Sequence, residues 1–248
     1  LGDHSIPRKI WRTLYPIGIH SFSFVAVSFL IGLIVSRTRG PEQTSSDLLL
    51  LMNLLGTSCS IPLLLWFARR DDLLRSRSRT PSSGKLLTAE GILLFLFGAA
   101  LAQYLNILLS YLDLFFRAMP QYTESMEQVT GNHGLFWILL WSAVAAPISE
   151  ELAFRWLVFR RLKDYLPVWP AVIFSSLLFG LYHGNLLQFL YAFFMGIFMA
   201  WSMEWTGSLW SCIIFHMGAN AWSILMGSEF ALWLPFGFAM LILILLFT

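Results

Sequence analysis

Long apolar stretches separated by short polar segments run along the whole chain. A helix that spans a bilayer needs about 20 mainly apolar residues, and the segments that meet this requirement are listed here in chain order: 14–36, 47–68, 89–116, 134–159, 167–183, 185–205, 208–226 and 230–247. The pattern predicts an all-α, polytopic membrane helix bundle with about eight transmembrane helices. No composition change divides the chain, so we expect a single domain over residues 1–248.

The composition agrees with a protein whose solvent is the bilayer. Of the 248 residues, 57% are hydrophobic and only 12% are charged, which is too apolar for an ordinary soluble domain. The two cysteines, Cys59 and Cys212, both lie in apolar segments, so neither a disulfide framework nor a zinc ribbon is indicated. We expect the lipid bilayer as a partner and no nucleic acid.

The distribution of Lys and Arg predicts the orientation in the membrane. If the N-terminus is cytoplasmic, twelve of the 16 basic residues fall in inside segments and three outside, and Arg155 lies within a span. This bias predicts that both termini are cytoplasmic and that the number of spans is even. The basic run RRDDLLRSRSRTPSSGK, residues 69–85, is predicted to be a solvated cytoplasmic loop, with contact to anionic lipid as the alternative.

Charged residues interrupt the fourth apolar segment, in the sequence ISEELAFR. A carboxylate at the centre of a lone spanning helix costs roughly 3 kcal/mol, so Glu150 and Glu151 indicate function by default. Pro147 precedes them and predicts a bend. Glu151 and Arg155 are four residues apart and can form an ion pair, whereas Glu150 points about 100 degrees away and needs another partner. The alternative is that both glutamates only hold helices together.

Histidines in later segments are candidate partners of Glu150. The fourth and fifth spans are joined near DYLPVWP, and in an antiparallel pair with that turn His183 lies level with Glu150. In the seventh span, HMGAN places His216 and Asn220 on one helical face at an overlapping depth. Each could be an ordinary packing residue, but together they predict a convergent polar site. His20 stands alone on an apolar span, and we expect it to be structural.

A carboxylate, two imidazoles and an amide in a partly dry site can hydrolyse an amide bond. Glu150 would act as general base on a water molecule that His183 helps to orient or deprotonate. His216 and Asn220 would donate hydrogen bonds to the oxyanion of the tetrahedral intermediate. Zinc held by Glu150, His183 and His216 is the alternative, since two histidines and a glutamate form a known catalytic zinc set; no cofactor is favoured.

Three motifs resemble those of one protein family. EELAFR at 150–155 resembles the EExxxR motif of the CPBP intramembrane proteases, which include the Rce1-type CAAX prenyl proteases and the bacterial Abi proteins. FGLYH at 179–183 resembles the FxxxH motif of that family, and HMGAN at 216–220 its HxxxN motif, within a core of about 134–227. The resemblance implies an eight-helix endopeptidase whose site opens to the cytosol and the bilayer. It implies catalytic roles for Glu150, His183, His216 and Asn220, and supporting roles for Glu151 and Arg155.

The sequence therefore predicts an intramembrane endopeptidase that cleaves a membrane-associated substrate. The substrate class is a peptide or a prenylated protein, either CAAX-like or of the bacteriocin type, and the location is a bacterial or archaeal cell membrane. A proton-coupled transporter with a Glu150 and His183 relay is the alternative, although no inverted repeat with broken helices supports it. A catalytically silent membrane protein is a third reading.

Overall fold

The computed structural model consists of long helices. It describes residues 5–39, 46–75, 89–116 and 133–226, together with Glu124, Glu127 and Gly131. Within these residues the long helices are α1 (Ile6–Arg39), α2 (Ser46–Arg75), α3 (Ala89–Phe116), α4 (Leu135–Leu162), α5 (Val168–Tyr182), α6 (Leu186–Thr206) and α7 (Leu209–Met226). The predicted all-α, polytopic fold class is confirmed. The predicted eighth span, 230–247, lies outside the described residues, so the count of eight stays a prediction.

Six of these helices, all except α5, are long and apolar enough to cross a bilayer. The 15 residues of α5 extend about 22 Å, which is less than the roughly 30 Å of a hydrocarbon core. A very short turn joins α5 to α6, as the sequence indicated. Gly184 adopts a φ of 76° there, which favours glycine, and the Asn185 side chain caps α6 by accepting a hydrogen bond from the Gln188 amide at 2.8 Å. This turn fixes the position of His183.

The helix α4 is not regular around the glutamates. Its middle section, Ala146–Glu151, has Pro147 in its first turn and lies between two π-helical sections, Leu140–Ala145 and Leu152–Phe159. Proline lacks the amide hydrogen that a regular helix needs, and π-helical turns re-aim the side chains that follow them and are frequent at functional sites. The structure thus has widened turns on both sides of the section that contains Pro147, whereas the bend stays a prediction.

Residues 69–75 continue α2 instead of starting a loop, so the predicted loop was wrong there. Asp71 is only 5% exposed, because Arg161 of α4 binds both of its carboxylate oxygens at 2.7 and 3.1 Å. The same guanidinium donates to the Tyr15 hydroxyl at 2.6 Å and to the Arg12 carbonyl. These contacts connect α1, α2 and α4, and a buried charge needs this degree of hydrogen bonding. Residues 76–85 lie outside the described part.

Further ion pairs lie at the same end of the bundle. Arg12 approaches Asp164 at 3.3 Å, and Arg160 approaches Asp72 at 2.8 Å. Lys163 and Glu204 form another pair. The sequence assigned Arg12, Arg160, Arg161 and Lys163 to one side of the membrane, and these four residues lie at one end of the bundle.

The helices α3 and α7 are packed backbone to backbone through two glycines. A Cβ atom added to Gly98 would lie 1.9 Å from the Phe215 carbonyl oxygen, and one added to Gly218 would lie 2.0 Å from that of Phe95. Only residues without a side chain allow this approach, which is a common device between membrane helices. The contact fixes the depth and rotation of α7, the helix that carries the HMGAN segment.

Candidate active site

A fully buried ion pair lies at the centre of the site. The side chains of Glu151 and Arg155 both have 0% exposure, with Arg155 Nε 3.2 Å from Glu151 Oε2 and Nη1 3.2 Å from Oε1. The pair predicted from the four-residue spacing is therefore present. Buried ion pairs are stable only when further contacts compensate the lost hydration. The Arg155 guanidinium lies 4.1 Å from the ring centroid of Phe179, a cation–π contact.

The imidazole of His216 lies between the two adjacent glutamates. Its Nδ1 is 2.8 Å from Oε1 of Glu151, and its Nε2 is 3.9 Å from Oε2 of Glu150. An acidic partner at one ring nitrogen fixes the orientation of an imidazole and directs the other nitrogen to the substrate, as in serine proteases. Glu151 therefore orients His216, whose Nε2 faces Glu150.

Glu150 differs from Glu151 in its exposure. Its side chain is 14% exposed, whereas that of Glu151 is fully buried and already pairs with Arg155 and His216. A general base must reach a water molecule in the ground state. Of the two adjacent carboxylates, only Glu150 has surface available to water.

His183, at the C-terminal end of α5, is held by its own helix. Its Nδ1 lies 2.8 Å from the Phe179 carbonyl oxygen, and because a carbonyl only accepts hydrogen bonds, Nδ1 carries the hydrogen. In the neutral ring Nε2 then holds the lone pair and can accept a proton. The sequence placed His183 level with Glu150, but among the described residues the imidazole within 4 Å of the Glu150 carboxylate is that of His216.

Phe179 connects the charged and the imidazole parts of the site. Its side chain is 1% exposed, and its ring makes edge contacts with His183 and His216 at centroid distances of 4.9 and 5.9 Å. The same ring lies against the Arg155 guanidinium. This aromatic residue is the first letter of the FGLYH motif, and its contacts give a physical reason for an aromatic side chain at that position.

Asn220 joins α7 to the irregular part of α4. Its Nδ2 donates a hydrogen bond of 2.8 Å to the carbonyl oxygen of Ser142, which lies in a π-helical section. A side-chain amide has two N–H groups and a carbonyl, so one donor is left for another ligand. Asn220 lies one turn from His216 on the same helix, as its spacing predicted.

One residue near the site was missed by sequence reasoning. His20 of α1 is 2% exposed and hydrogen-bonds to Tyr182 and to Ser149 at 2.9 and 3.1 Å. These are the residues that directly precede His183 and Glu150. Nothing in the apolar pattern of α1 distinguishes a packing histidine from this one, because its partners lie more than 120 residues away.

The described residues do not form a metal-binding set. Over the part of the chain that the structure describes, no three His, Cys, Asp or Glu side chains converge in a way that could hold a metal ion. Glu150, His183 and His216 therefore do not provide the three-ligand geometry that catalytic zinc requires.

The fold and the site define a class of protein. It is a polytopic helical membrane protein with a buried cluster of Glu151, His216 and Arg155, beside which lies the partly exposed Glu150. Comparison with known families agrees, since residues 132–222 match the family model described as type II CAAX prenyl endopeptidase Rce1-like. The part of the chain that carries the site is therefore similar to the CAAX prenyl endopeptidases.

A curated relative matches part of the chain. The "Putative membrane peptidase YdiL" of Bacillus subtilis is 29% identical over 92 residues, which are 37% of this chain and 38% of that protein. The chain thus aligns with less than half of the relative's length. No solved structure matches the chain.

Proposed function

We propose that this protein is an intramembrane endopeptidase in which Glu150 activates the hydrolytic water. The observation that carries the proposal is that two glutamates lie beside opposite ring nitrogens of His216. The buried Glu151 contacts Nδ1, and the partly exposed Glu150 faces Nε2. The family model that matches residues 132–222 is described as an endopeptidase, and this similarity supports the proposal. Amide hydrolysis needs a general base beside hydrogen-bond donors, and this arrangement supplies both.

The proposed reaction begins with a water molecule between Glu150 and the scissile carbonyl carbon. Glu150 accepts a proton from the water while the water oxygen forms a bond to that carbon. The Nε2 lone pair of His183 orients the water. The carbonyl oxygen becomes an oxyanion. Protonated His216 and the second N–H of Asn220 donate hydrogen bonds to it, and each such donor contributes roughly 3 kcal/mol to transition-state stabilisation in comparable sites.

The second half of the reaction breaks the peptide bond. The C–N bond cleaves as the oxyanion re-forms the carbonyl, and Glu150 returns its proton to the leaving amine. The immediate products are a carboxylic acid and an amine, proton transfer between them gives a carboxylate and an ammonium group, and Glu150 is ionised again. No covalent enzyme intermediate is formed, and no electron transfer is needed.

The proposed substrate is a peptide segment that approaches from the membrane or its surface. A CAAX-type prenylated peptide follows from the description of the family model, and an unprenylated membrane peptide is the second class. The six apolar helices place the protein in a membrane, and we propose the cell membrane of a bacterium or archaeon. The site would receive a lipid-attached substrate without extracting it into water.

The test is cleavage of prenylated and unprenylated fluorogenic peptide libraries by purified protein in bilayers. Glu150→Gln keeps the shape of the side chain but removes the base, and we expect kcat to fall at least about 100-fold. Glu204→Gln, at the charged end of the bundle, is the matched control and should cleave like the wild type. Unchanged cleavage by Glu150→Gln, or loss of wild-type cleavage on treatment with a zinc chelator, would contradict the mechanism; proton flux without any cleavage would indicate the transporter alternative.

A further inference from the structure

A chain of hydrogen bonds connects α1 to both halves of the proposed site. The Tyr182 hydroxyl lies 2.9 Å from His20 Nδ1, His20 Nε2 lies 3.1 Å from the Ser149 Oγ, and that Oγ lies 3.0 Å from the Ala146 carbonyl oxygen. All three side chains come from different helices. This series of hydrogen bonds begins on α5, passes through α1 and ends on α4.

The chemistry of the groups fixes the direction of every bond in this chain. The carbonyl of Ala146 can only accept, so the Ser149 hydroxyl donates its hydrogen to it. The Ser149 oxygen must therefore accept from His20 Nε2, which carries the ring hydrogen. In a neutral imidazole Nδ1 is then the acceptor, and the Tyr182 hydroxyl donates to it. Each polar atom of the chain is satisfied in one tautomer only.

The position of the chain relates it to the reacting groups. Ser149 directly precedes Glu150, and Tyr182 directly precedes His183. The Tyr182 ring also contacts the rings of His20 and His183 at their edges, at centroid distances of 5.4 and 5.8 Å. A change at His20 is therefore transmitted to both sides of the site.

We propose that His20 is a positioning residue of the active site, which holds the Ser149–Glu150 segment of α4 in register with the Tyr182–His183 segment of α5. The proposal rests on the proposed function above. The covalent link between α4 and α5, residues 163–167, lies at the opposite end of these helices, so a further constraint close to the site reduces their relative movement there. His20 provides that constraint from a part of the chain in which no motif was found.

A purely structural histidine would give a different result from a positioning one. Misplacement of reacting groups by about 1 Å can reduce the rate 100-fold with little effect on ground-state binding. Loss of helix packing alone would lower stability and the amount of folded protein, but the folded fraction would keep its kcat. The ratio of kcat to KM effects in folded protein therefore separates the two roles.

The kinetic experiment uses His20→Gln, Tyr182→Phe and the double variant in the full chain. Gln keeps an N–H donor for Ser149 but lacks the ring nitrogen Nδ1 to which Tyr182 donates, and Phe removes only the hydroxyl. We expect each single change to lower kcat about 10-fold or more with KM nearly unchanged. The double variant should have the same kcat as the less active of the two single variants, because both substitutions break the same link. Ser23→Ala, a buried α1 position, should leave kcat and KM at wild-type values. Wild-type kcat in both single variants, or fully additive losses, would overturn the proposal.

A second experiment needs no substrate and so separates this proposal from the proposed function. In protein with 15N-labelled histidines in bilayers, NMR should show His20 with hydrogen on Nε2 and none on Nδ1. Tyr182→Phe should shift the Nδ1 resonance of His20, and His20→Gln should shift the ring resonances of His183, whereas Ser23→Ala should shift neither. Hydrogen on Nδ1 of His20, or unchanged His183 resonances in His20→Gln, would refute the positioning role even if the protein is a protease. If these shifts are observed but no peptide is cleaved, the proposed function fails while the link stands.

Discussion

The Nδ1 atom of His216 lies 2.8 Å from Oε1 of Glu151, so the second glutamate of the adjacent pair orients the imidazole. Glu150 faces the opposite ring nitrogen at 3.9 Å and keeps access to water. Two neighbouring carboxylates in one helix thus have different surroundings. A buried, paired carboxylate organises the site, and an exposed one is available for proton transfer.

These different surroundings predict that two adjacent substitutions change the free energy of unfolding by unequal amounts. Glu151→Gln leaves the Arg155 guanidinium buried without a counter-charge, and we expect the free energy of unfolding to fall by about 3–5 kcal/mol. Glu150→Gln should change it by less than about 1 kcal/mol, since its partly exposed carboxylate has no such partner. Reversible denaturant unfolding in micelles measures both. Equal losses in the two variants would show that the glutamates share one structural role.

Removal of the Asn220 amide should act on the transition state. We expect Asn220→Ala to lower kcat about 100- to 1,000-fold while KM stays nearly constant, because an oxyanion donor acts only after the water has attacked. Asn53→Ala removes an amide that bonds within its own helix, to the Leu49 carbonyl at 2.8 Å, and serves as the control. A rise in KM with unchanged kcat would instead assign Asn220 to substrate binding.

The Phe179 ring should be needed for both stability and rate. Phe179→Leu retains an apolar side chain but removes the cation–π contact with Arg155, and we expect a loss of about 2 kcal/mol in unfolding free energy. We also expect a lower kcat, because His183 and His216 lose their shared ring. Phe198→Leu, which removes a ring contact with Phe97 away from the site, should lower stability less and leave kcat unchanged.

Added methyl groups at the α3 and α7 contact should separate these helices. Gly98→Ala and Gly218→Ala each place a Cβ atom within about 2 Å of a carbonyl oxygen, and overpacking of this kind destabilises by about 1–3 kcal/mol or more. Gly18→Ala in α1 meets no atom within 4 Å and should stabilise slightly through its higher helix propensity. Thermal unfolding compares the three. Similar melting temperatures for all three variants would contradict the close packing.

The buried Asp71 predicts a contrast between two adjacent aspartates. Asp71→Asn leaves Arg161 buried without its counter-ion, and we expect a loss of about 3–5 kcal/mol in unfolding free energy. Asp72→Asn breaks a pair in which the aspartate side chain is 39% exposed, so the loss should stay below about 1 kcal/mol. Denaturant unfolding at low and at high salt tests this. If segment 69–75 were solvated, as its composition predicts, both variants would behave like Asp72→Asn.

Features that depend on one helix at a time could be predicted from the sequence. The four-residue spacing of Glu151 and Arg155 and that of His216 and Asn220 place each pair on one face, because helical periodicity is a local property. The helix positions follow from apolar length for the same reason. The irregular turns beside Pro147 agree with the amide hydrogen that proline lacks.

Features that depend on the relative depth and rotation of helices were decided by the tertiary structure alone. The sequence set Glu150 against His183, whereas packing through Gly98 and Gly218 brings His216 between both glutamates. The sequence also predicted a packing role for His20 and a solvated position for Asp71, because the partners of both residues are remote in the chain. Apolar side chains pack on membrane helices in many rotations of similar energy, and buried polar contacts such as these select one of them.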